Sequence, residues 1–324
     1  MHRPTAARLF CLTLAATAPA LAVAQEAYPS RPITIVVPYA AGGTSDGQVR
    51  MFQDALGKEL GQPIVVDNRP GASGAIAAQL VARAKPDGYT LLYPNNGVLT
   101  TPLLNDKAGY DAFKDLRPVT LTSVVPMVLV VNKAVPADDA KSFFEWARKQ
   151  PKGVMYASAG TASYGHLSTA RLIQLSGIKA EHIPYKGEAA STMAARTGEV
   201  QMLVTTPSSA MLGQVQQGNL KLLGVGTREP SSVVPGTPPL NRAVPGYEAQ
   251  AWFGVMAPAG TPDAVVDRLN AAFRKVMADD GLKTRLLATG AVARTTSPAE
   301  FAQMMKTESD QLRDIVTQFN IKAE

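Results

Sequence analysis

The chain has 324 residues, of which 46% are hydrophobic and 18% charged, and its formal net charge is +6. This composition is typical of a folded globular protein, and the length is sufficient for two hydrophobic cores. The basic residues are scattered without a run of four, and no zinc-finger or RNA-recognition pattern occurs, so nucleic acid is not an expected partner.

The first 24 residues have the pattern of a secretory signal peptide. Arg3 and Arg8 give a basic start, an apolar run covers residues 9–16, and Ala24 ends a small-residue cleavage site. We predict cleavage after Ala24 and a mature protein outside the cytoplasm. Cys11 is the only cysteine and would leave with this segment, so neither a disulfide nor a cysteine metal site is expected.

Strands and helices alternate along the chain, which favours an α/β fold with parallel sheets. The first block predicts strands at 33–37, 63–67 and 89–93, with helices at 45–60 and up to residue 84. The second block predicts a crossing segment at 124–131, strands at 154–157, 200–204 and 220–224, and helices at 140–149, 165–175, 189–197 and 211–217. After a proline-rich stretch, an apolar segment at 251–258 and helices at 263–278 and 298–319 end the chain.

These blocks predict two α/β lobes, each a central sheet flanked by helices, joined by two crossing strands. Lobe 1 would comprise residues 25–124 and be completed by residues 250–324, and lobe 2 would comprise residues 125–249. Ligands of such folds bind in the crevice between the lobes, at the carboxyl ends of strands.

A glycine-rich segment from Pro38 to Asp46 follows the first predicted strand and opens the first predicted helix. Such a junction directs unpaired N–H groups and the positive end of a helix dipole at one place, which suits a carboxylate. A tight turn with a good helix cap is the alternative. For Asp46 itself, capping the helix and pairing with Arg50 is the favoured role over a contact with an anion.

Sequence motifs of enzymes are missing from this chain. Residues 161–165 lack the first glycine of a nucleophile elbow, no P-loop occurs, and Gly224-Val225-Gly226 is not completed to a dinucleotide motif. After loss of the signal peptide only His166 and His182 remain, without a metalloprotease spacing. We therefore expect no catalysis, no metal and no cofactor.

Four loops at predicted strand ends favour ligand binding instead: residues 39–47, 94–101, 158–166 and 204–209. They contain no Lys or Arg and are rich in Gly, Ser, Thr and Asn. Neutral donors can hold an anion without leaving a buried, unpaired cation in the empty pocket. A micromolar complex needs about 8 kcal/mol net, which is more than one loop provides. We therefore expect both lobes to contribute and to close on the ligand. Candidates in the second and fourth loops are Asn95, Asn96, Thr205 and Thr206.

Some side chains have two plausible roles. His166 is either a core or capping residue or a ligand contact, and Tyr39 is either a pocket wall or a wedge between the lobes. Lys186 could supply a cation at the rim, although a solvated loop lysine is more common. Trp252 and Phe253 favour core or hinge packing over stacking on a ligand.

Six segments, in order, are similar to blocks of one known family. They are residues 28–33 (YPSRPI), 38–46 (PYAAGGTSD), 65–74 (VVDNRPGASG), 86–92 (PDGYTLL), 182–187 (HIPYKG) and 252–262 (WFGVMAPAGTP). From about residue 28 to its end, the chain resembles the Bug family, the extracytoplasmic solute receptors of tripartite tricarboxylate transporters.

The resemblance implies a type II-like periplasmic binding-protein fold that closes on a small carboxylate, such as a di- or tricarboxylate, an acidic amino acid or an aromatic acid. It implies delivery to the membrane subunits of the transporter, and we expect a monomer. In the family the first glycine loop holds one ligand carboxylate, which here corresponds to Tyr39, Ala41, Gly42, Gly43, Thr44, Ser45 and Asp46. The opposite lobe contributes a loop that here contains Ala159, Gly160, Thr161, Ser163, Tyr164 and His166.

Two departures from the family pattern matter. Family members often carry an acidic residue where this chain has Thr205 and Thr206, which weakens the case for an amino-acid ligand because its ammonium would need a partner. The common Pro-Gly-Gly of the first loop is Ala41-Gly42-Gly43 here. A receptor for a neutral or aromatic amide-like solute, and a ligand-sensing subunit for a two-component sensor, remain the alternatives.

Overall fold

The computed structural model describes residues 28–322 as two β-sheets, each with helices on both faces. The predicted signal peptide, residues 1–24, lies outside the described residues. Within residues 28–322, no helix combines the length and the apolar character needed to cross a membrane.

The first sheet, with its helices, is called lobe 1. In spatial order its strands are Val292–Ala293 (β11), Leu116–Pro126 (β4), Gln250–Pro258 (β10), Thr90–Leu92 (β3), Ile33–Val37 (β1) and Ile64–Asn68 (β2). Strand β1 pairs in parallel with β2 and β3, whereas β10 runs antiparallel to both β3 and β4. The sheet is therefore mixed, and the expectation of a parallel sheet holds only for its β1–β3 part.

Helices cover both faces of the lobe 1 sheet. One face carries Thr44–Leu60 (α1), Asp263–Met277 (α8) and Asp280–Ala288 (α9), and the other carries Ala75–Ala82 (α2), Gly97–Leu104 (α3) and Pro298–Gln318 (α10). The cores are apolar and aromatic; for example, Phe52 of α1 packs edge-on against Phe273 of α8, with ring centroids 5.6 Å apart. The packing of α1 against α8 and the sheet fixes where α1 begins relative to β1.

The second sheet, with its helices, is called lobe 2. In spatial order its strands are Ala180–Pro184 (β7), Val154–Ser158 (β6), Met202–Thr205 (β8), Val128–Asn132 (β5) and Leu220–Val225 (β9). Strand β6 is parallel to β7 and β8, and β5 is antiparallel to β8 and β9. Helices Ala140–Arg148 (α4) and Tyr164–Ser176 (α5) cover one face, and Glu188–Thr197 (α6) and Ser209–Gln216 (α7) cover the other.

The two lobes are joined at three residues, Met127, Gly226 and Ala249, which we call the hinge. The N–H of Met127 donates to Ala249 O at 3.1 Å, that of Gly226 to Met127 O at 2.7 Å, and that of Ala249 to Gly226 O at 2.8 Å. A Cβ at Gly226 would lie 2.5 Å from Ala249 O, so only glycine fits this crossing. The crossing segment predicted at 124–131 is thus two strands, β4 and β5, separated at Met127.

Besides the short strand β11 and residues 116–123 of β4, three elements of the structure are not predicted by the sequence patterns: β7, α3 and α9. Strand β7 is an edge strand that carries the polar residues Glu181 and His182. Helix α3 contains Pro102, and α9 has only nine residues. None of the three therefore has a clear apolar period for sequence reasoning to detect.

Candidate ligand-binding site

The four predicted loops lie where the structure ends its strands and begins its helices. Residues 39–47 connect β1 to α1, 94–101 follow β3 and include the start of α3, 158–166 connect β6 to α5, and 204–209 connect β8 to α7. We call these segments the crevice loops. Because the carboxyl ends of parallel strands share one edge of a sheet, each lobe presents two of these helix N-termini at one edge.

The N-terminus of α1 is made by glycine. Gly42 adopts a positive φ of 82°, and the N-cap residue Gly43 is extended, with φ −75° and ψ 171°. No side chain of the described residues caps this helix. The first N–H groups of α1 therefore remain available to water or to a ligand, with the positive end of the helix dipole behind them.

Asp46, in the first turn of α1, holds this loop together. Its Oδ2 accepts hydrogen bonds from Gly42 N at 2.8 Å and from Arg50 Nε at 2.9 Å, and the side chain is buried. The hydrogen bond from Arg50 lowers the pKa of Asp46, while burial opposes the change. The predicted pairing with Arg50 is confirmed, whereas the predicted capping role is wrong, because Gly43 is the N-cap and no side chain caps α1. Oδ2 of Asp46 supports the loop rather than a ligand.

Tyr39 and Asn95 join the first two crevice loops. Tyr39 OH donates to Asn95 Oδ1 at 2.5 Å, and the same oxygen accepts Gly97 N at 2.9 Å. A Cβ at Gly97 would lie 2.9 Å from both Tyr39 OH and Asn95 Oδ1, so a side chain there would displace this hydrogen-bonded pair. Burial raises the pKa of Tyr39 to about 12, which keeps its hydroxyl neutral.

Asn96 and Tyr164 have their polar groups engaged next to the hinge. Asn96 Oδ1 accepts Trp252 N at 2.9 Å and its Nδ2 donates to Glu308 Oε1 at 2.5 Å. Trp252 Nε1 donates to Glu308 Oε2 at 2.5 Å, and Tyr164 OH accepts Gln250 N at 3.3 Å. Burial raises the pKa of Glu308 to about 7, against the effect of these hydrogen bonds. Sequence reasoning missed Glu308, which lies 212 residues after Asn96.

The packing predicted for two aromatic residues is confirmed. Trp252 is buried and packs edge-on against Phe301, with centroids 5.2 Å apart, and Phe253 stacks on Tyr93 at 6.2 Å. Lys186 is exposed, which agrees with the solvated-loop interpretation.

The loop before α5 is organised by side chains, in contrast to the loop before α1. Ser163 is the N-cap, and its Oγ accepts His166 N at 3.3 Å. His166 Nδ1 accepts Ala162 N at 3.1 Å, which holds Ala162 at a φ of 63° that residues other than glycine rarely adopt. Neutral His166 therefore carries its proton on Nε2. The remaining candidates of this loop, Ala159, Gly160 and Thr161, form the turn between β6 and the N-cap.

His166 stacks on His182, with ring centroids 3.7 Å apart. Tyr156 also stacks on His182, with ring centroids 5.0 Å apart. Burial, followed by the neighbouring His182, lowers the pKa of His166 to about 4. His166 is thus neutral at pH 7 and adds no positive charge to the crevice. The pairing of β6 with β7, which sets Tyr156 opposite His182, creates this stack.

Ser158 and His182 have the separation expected of a nucleophile and its base. Ser158 Oγ lies 2.7 Å from His182 Nε2, but Ser158 is fully buried and its Oγ also donates to Gly160 O at 2.9 Å. No substrate can reach this hydroxyl, so the pair supports the loop. Residues 28–322 also contain no cluster of three or more His, Cys, Asp or Glu suited to a metal ion.

Thr205 and Thr206 both bind a carboxylate from another element. Their hydroxyls donate to Glu188 Oε1, each at 2.8 Å. Sequence reasoning missed Glu188, since the predicted helix began one residue later; its position directly after Gly187 was the available signal. The N-terminus of α7 beside it is capped by Ser208 Oγ, which accepts Met211 N at 3.4 Å.

Comparison with known proteins identifies the family of this chain. Residues 48–321 match the family model described as the tripartite tricarboxylate transporter family receptor (TctC). The chain belongs to this receptor family. The resemblance to Bug proteins is confirmed by BugT of Bordetella pertussis, which is 30% identical in an alignment that covers 97% of this chain and 96% of BugT.

Solved structures of TctC-type receptors have the same fold. A protein of R. palustris solved with adipate is 32% identical, over 91% of this chain and 99% of that chain, with a TM-score of 0.73. MatC of Rhodopseudomonas palustris, solved with bound malate, is 32% identical over 89% and 100% of the two chains, with a TM-score of 0.69. The TctC family consists of periplasmic solute-binding receptors rather than enzymes.

Proposed function

We propose that this receptor captures a small carboxylate between its two lobes, in the periplasm, and delivers it to the membrane subunits of a tripartite tricarboxylate transporter. Support comes from the two relatives solved with the dicarboxylates adipate and malate. The observation that carries the proposal is the N-terminus of α1, where Gly43 leaves the first N–H groups without a side-chain cap.

The contrast with α5 and α7, the two lobe 2 helices that begin in the crevice loops, supports the choice of α1. Helices α5 and α7 are capped by Ser163 and Ser208, so part of their N–H groups already has a partner. A carboxylate at α1 gains about 1.5–3 kcal/mol for each charge-assisted hydrogen bond, and the helix dipole adds about 0.3–1 kcal/mol. Two such hydrogen bonds are too few to offset the free-energy cost of association and also supply the net binding free energy of a micromolar complex.

Lobe 2 therefore has to complete the site in this proposal. The hinge residues Met127, Gly226 and Ala249 are the points about which the lobes would rotate to close on the ligand. The crevice loops of both lobes contain no Lys or Arg, so the ligand is held by N–H, hydroxyl and amide donors. Such a site suits reversible capture and release, as a transport receptor requires.

A thermal-shift screen that compares acids with their amides tests this function. Because a ligand that binds only the folded state raises the unfolding midpoint, a carboxylate at 100 times its Kd adds about 2.7 kcal/mol to the stability. Mono-, di- and tricarboxylates are compared with amides of the same skeleton, such as succinate with succinamide. We expect a shift of several degrees for at least one acid and none for its amide. Equal shifts for the amides would support the neutral-solute alternative and reject the carboxylate proposal.

A further inference from the structure

Glu308, on α10 of lobe 1, binds crevice-loop residues of both lobes. Asn96 Nδ2 donates to its Oε1 and Trp252 Nε1 to its Oε2, each at 2.5 Å. Tyr164 OH accepts Gln250 N at 3.3 Å and donates a hydrogen bond to the Glu308 carboxyl. Asn96 is the N-cap residue of α3 and Tyr164 is the first residue of α5. One carboxyl therefore connects the start of a lobe 1 helix with the start of a lobe 2 helix.

Helices α10 and α5 also pack side by side, so the lobes are joined by more than the hinge. Leu167 and Ala170 of α5 are buried in the same cluster as Leu312 of α10. Near the far ends of the two helices, Gln174 Nε2 donates to Gln318 Oε1. The contact between Glu308 and Tyr164 thus lies at the end of this helix pair that is nearest to the crevice loops.

The surroundings of Glu308 match a carboxylate better than a protonated carboxyl. Its three partners, Asn96, Trp252 and Tyr164, all donate hydrogen bonds to it. An ionised carboxylate accepts all three, whereas a protonated carboxyl directs its own O–H at one of these donors. Burial nevertheless raises the pKa of Glu308 to about 7. Near neutral pH, the connection between the lobes therefore exists in two forms that differ by one proton.

Other charged groups near Glu308 do not replace these donors. Two cavities, the larger of about 320 Å³, border Glu308, and the titratable groups in their walls are Tyr164, Arg171, Arg228, Glu248 and Arg294. Within residues 28–322, none of the three arginines forms an ion pair with Glu308, and Arg228 pairs with Glu248 at 3.2 Å. Burial raises the pKa of Tyr164 well above its usual value, so its hydroxyl stays neutral and keeps its proton to donate.

We propose that Glu308 is a positioning residue for ligand capture: its ionised carboxylate holds Asn96 of lobe 1 and Tyr164 of lobe 2 in place, and its protonation weakens ligand binding. This inference rests on the proposed function, because it needs a carboxylate bound between the lobes. Helices α1 and α10 lie on opposite faces of the lobe 1 sheet, so Glu308 acts through the crevice loops. Direct repulsion between Glu308 and the bound acid would have the opposite sign, with weaker binding at high pH.

A role limited to folding is the competing explanation, in which Glu308 supports the fold without affecting the crevice. The substitution Glu308→Gln removes the titration, and its amide NH₂ faces one of the donors that the carboxylate accepts. Asp314→Asn is the matched control, because Asp314 is exposed on the same helix and forms no ion pair among residues 28–322.

Isothermal titration calorimetry of the mature protein at pH 6 and pH 8 tests the inference, with succinate, adipate, citrate and benzoate as probes. In wild type and Asp314→Asn, the affinity for the best of these acids should rise about threefold from pH 6 to pH 8, relative to Glu308→Gln. The ionisation of the acids themselves cancels in this comparison, since the same acids are used throughout.

A second measurement needs no variant. Because coupling between two sites is reciprocal, binding of the acid should lower the pKa of Glu308. The side-chain carboxyl ¹³C signal of Glu308 is followed against pH without and with saturating acid, and its midpoint should fall by about half a pH unit. A folding role alone predicts no change of this midpoint on binding.

The remaining outcomes overturn the inference. It is wrong if wild type and Glu308→Gln, folded by circular dichroism, have the same pH dependence of affinity. It is also wrong if the Glu308 midpoint stays constant or rises on binding, and this result decides the matter even if Glu308→Gln does not fold. In both cases the acids still bind, so the proposed function stands. If none of the acids binds at either pH, the proposed function is rejected together with the inference.

Discussion

The two sides of the crevice are built in different ways. Lobe 1 presents backbone: Gly42 and Gly43 open α1 without a side-chain cap. Lobe 2 presents side chains at the starts of α5 and α7, which Ser163 and Ser208 cap, whereas α6 begins after Gly187 without a side-chain cap. The Glu188 carboxylate accepts hydrogen bonds from Thr205 and Thr206 at the end of β8.

Most substitutions leave the backbone N–H donors in place, whereas they replace the hydrogen-bonding groups of a side chain. This difference suggests a division of labour in which lobe 1 binds the group that all ligands share, and lobe 2 decides which ligand is accepted. Both halves of this comparison can be tested separately, because the two sets of residues belong to different sheets.

The largest expected effect is on the lobe 1 side, from Gly43→Asp. The extended backbone at Gly43 is that of an N-cap, although a Cβ there would lie 3.2 Å from Ala40 O, so the turn has to shift slightly. The Asp carboxylate would occupy the N–H groups of α1 and repel an incoming acid. We expect at least a 100-fold loss of carboxylate affinity, about 3 kcal/mol, in a variant that remains folded.

The control for this variant is Gly213→Asp, which makes the same charge change in α7 at a site where a Cβ has open space. Calorimetric titration with the best acid from the screen compares the two. Retained affinity in Gly43→Asp would break the comparison, because lobe 1 would then not bind through these N–H groups.

The next effect concerns Glu308, which α10 places beside the hinge. Its pKa is raised from 4.5 to about 7, so the folded protein resists its ionisation more than the unfolded chain does. The unfolding free energy should therefore fall as the pH rises from about 4.5 through 7. The full difference corresponds to about 3 kcal/mol, and we expect about 2 kcal/mol because Glu308 is partly accessible to water.

Chemical denaturation from pH 5 to pH 8 measures this effect as the difference between wild type and Glu308→Gln. The wild type should lose stability relative to the variant across this range. Asp310→Asn, on an exposed position of the same helix, is the control and should stay parallel to the wild type. If the unfolding free energies of wild type and Glu308→Gln change in parallel with pH, the Glu308 carboxyl does not titrate in this range.

A smaller effect of opposite sign is expected in lobe 2, from His166. Its pKa is lowered from 6.5 to about 4, so stability is complete above pH 6.5 and is lost as the pH falls from 6.5 to 4. NMR titration of the ring protons should report a midpoint near 4. A midpoint near 6.5 would contradict the buried stack of His166 on His182.

The smallest effects come from the caps and sharpen the contrast between the lobes. Ser163→Ala and Ser208→Ala should each lower the unfolding free energy by about 1 kcal/mol, because each removes an N-cap acceptor. Thr44→Ala, in the first turn of α1, should cost less than about 0.5 kcal/mol. Equal costs at all three sites, measured by urea denaturation, would show that the α1 end also depends on a side-chain cap.

Local features of this molecule could be predicted from the sequence. The apolar run at β1, the glycines after it and the helical period from Val49 to Leu60 lie within one short segment, so the strand, the turn and α1 follow from short-range preferences. The pairing of Asp46 with Arg50 is predictable for the same reason, since four residues form one helical turn.

Side-chain partners set by tertiary structure could not be predicted. The sequence pattern favours Asn96 as a ligand contact, but the fold brings it to Glu308, 212 residues away. Glu188 reaches Thr205 only because α6 and β8 pack together. No local pattern specifies such encounters, and for this reason the chemistry of lobe 2 emerged only from the structure.

NMR spectroscopy of the amide groups tests the central claim most directly. The backbone N–H signals of Thr44 and Ser45 are followed while the best acid from the screen, or its primary amide, is added. We predict large downfield shifts of these proton signals with the acid, as new hydrogen bonds form to its carboxylate, and little change with the amide. Unchanged signals at the N-terminus of α1, in a protein that binds the acid, would contradict the account.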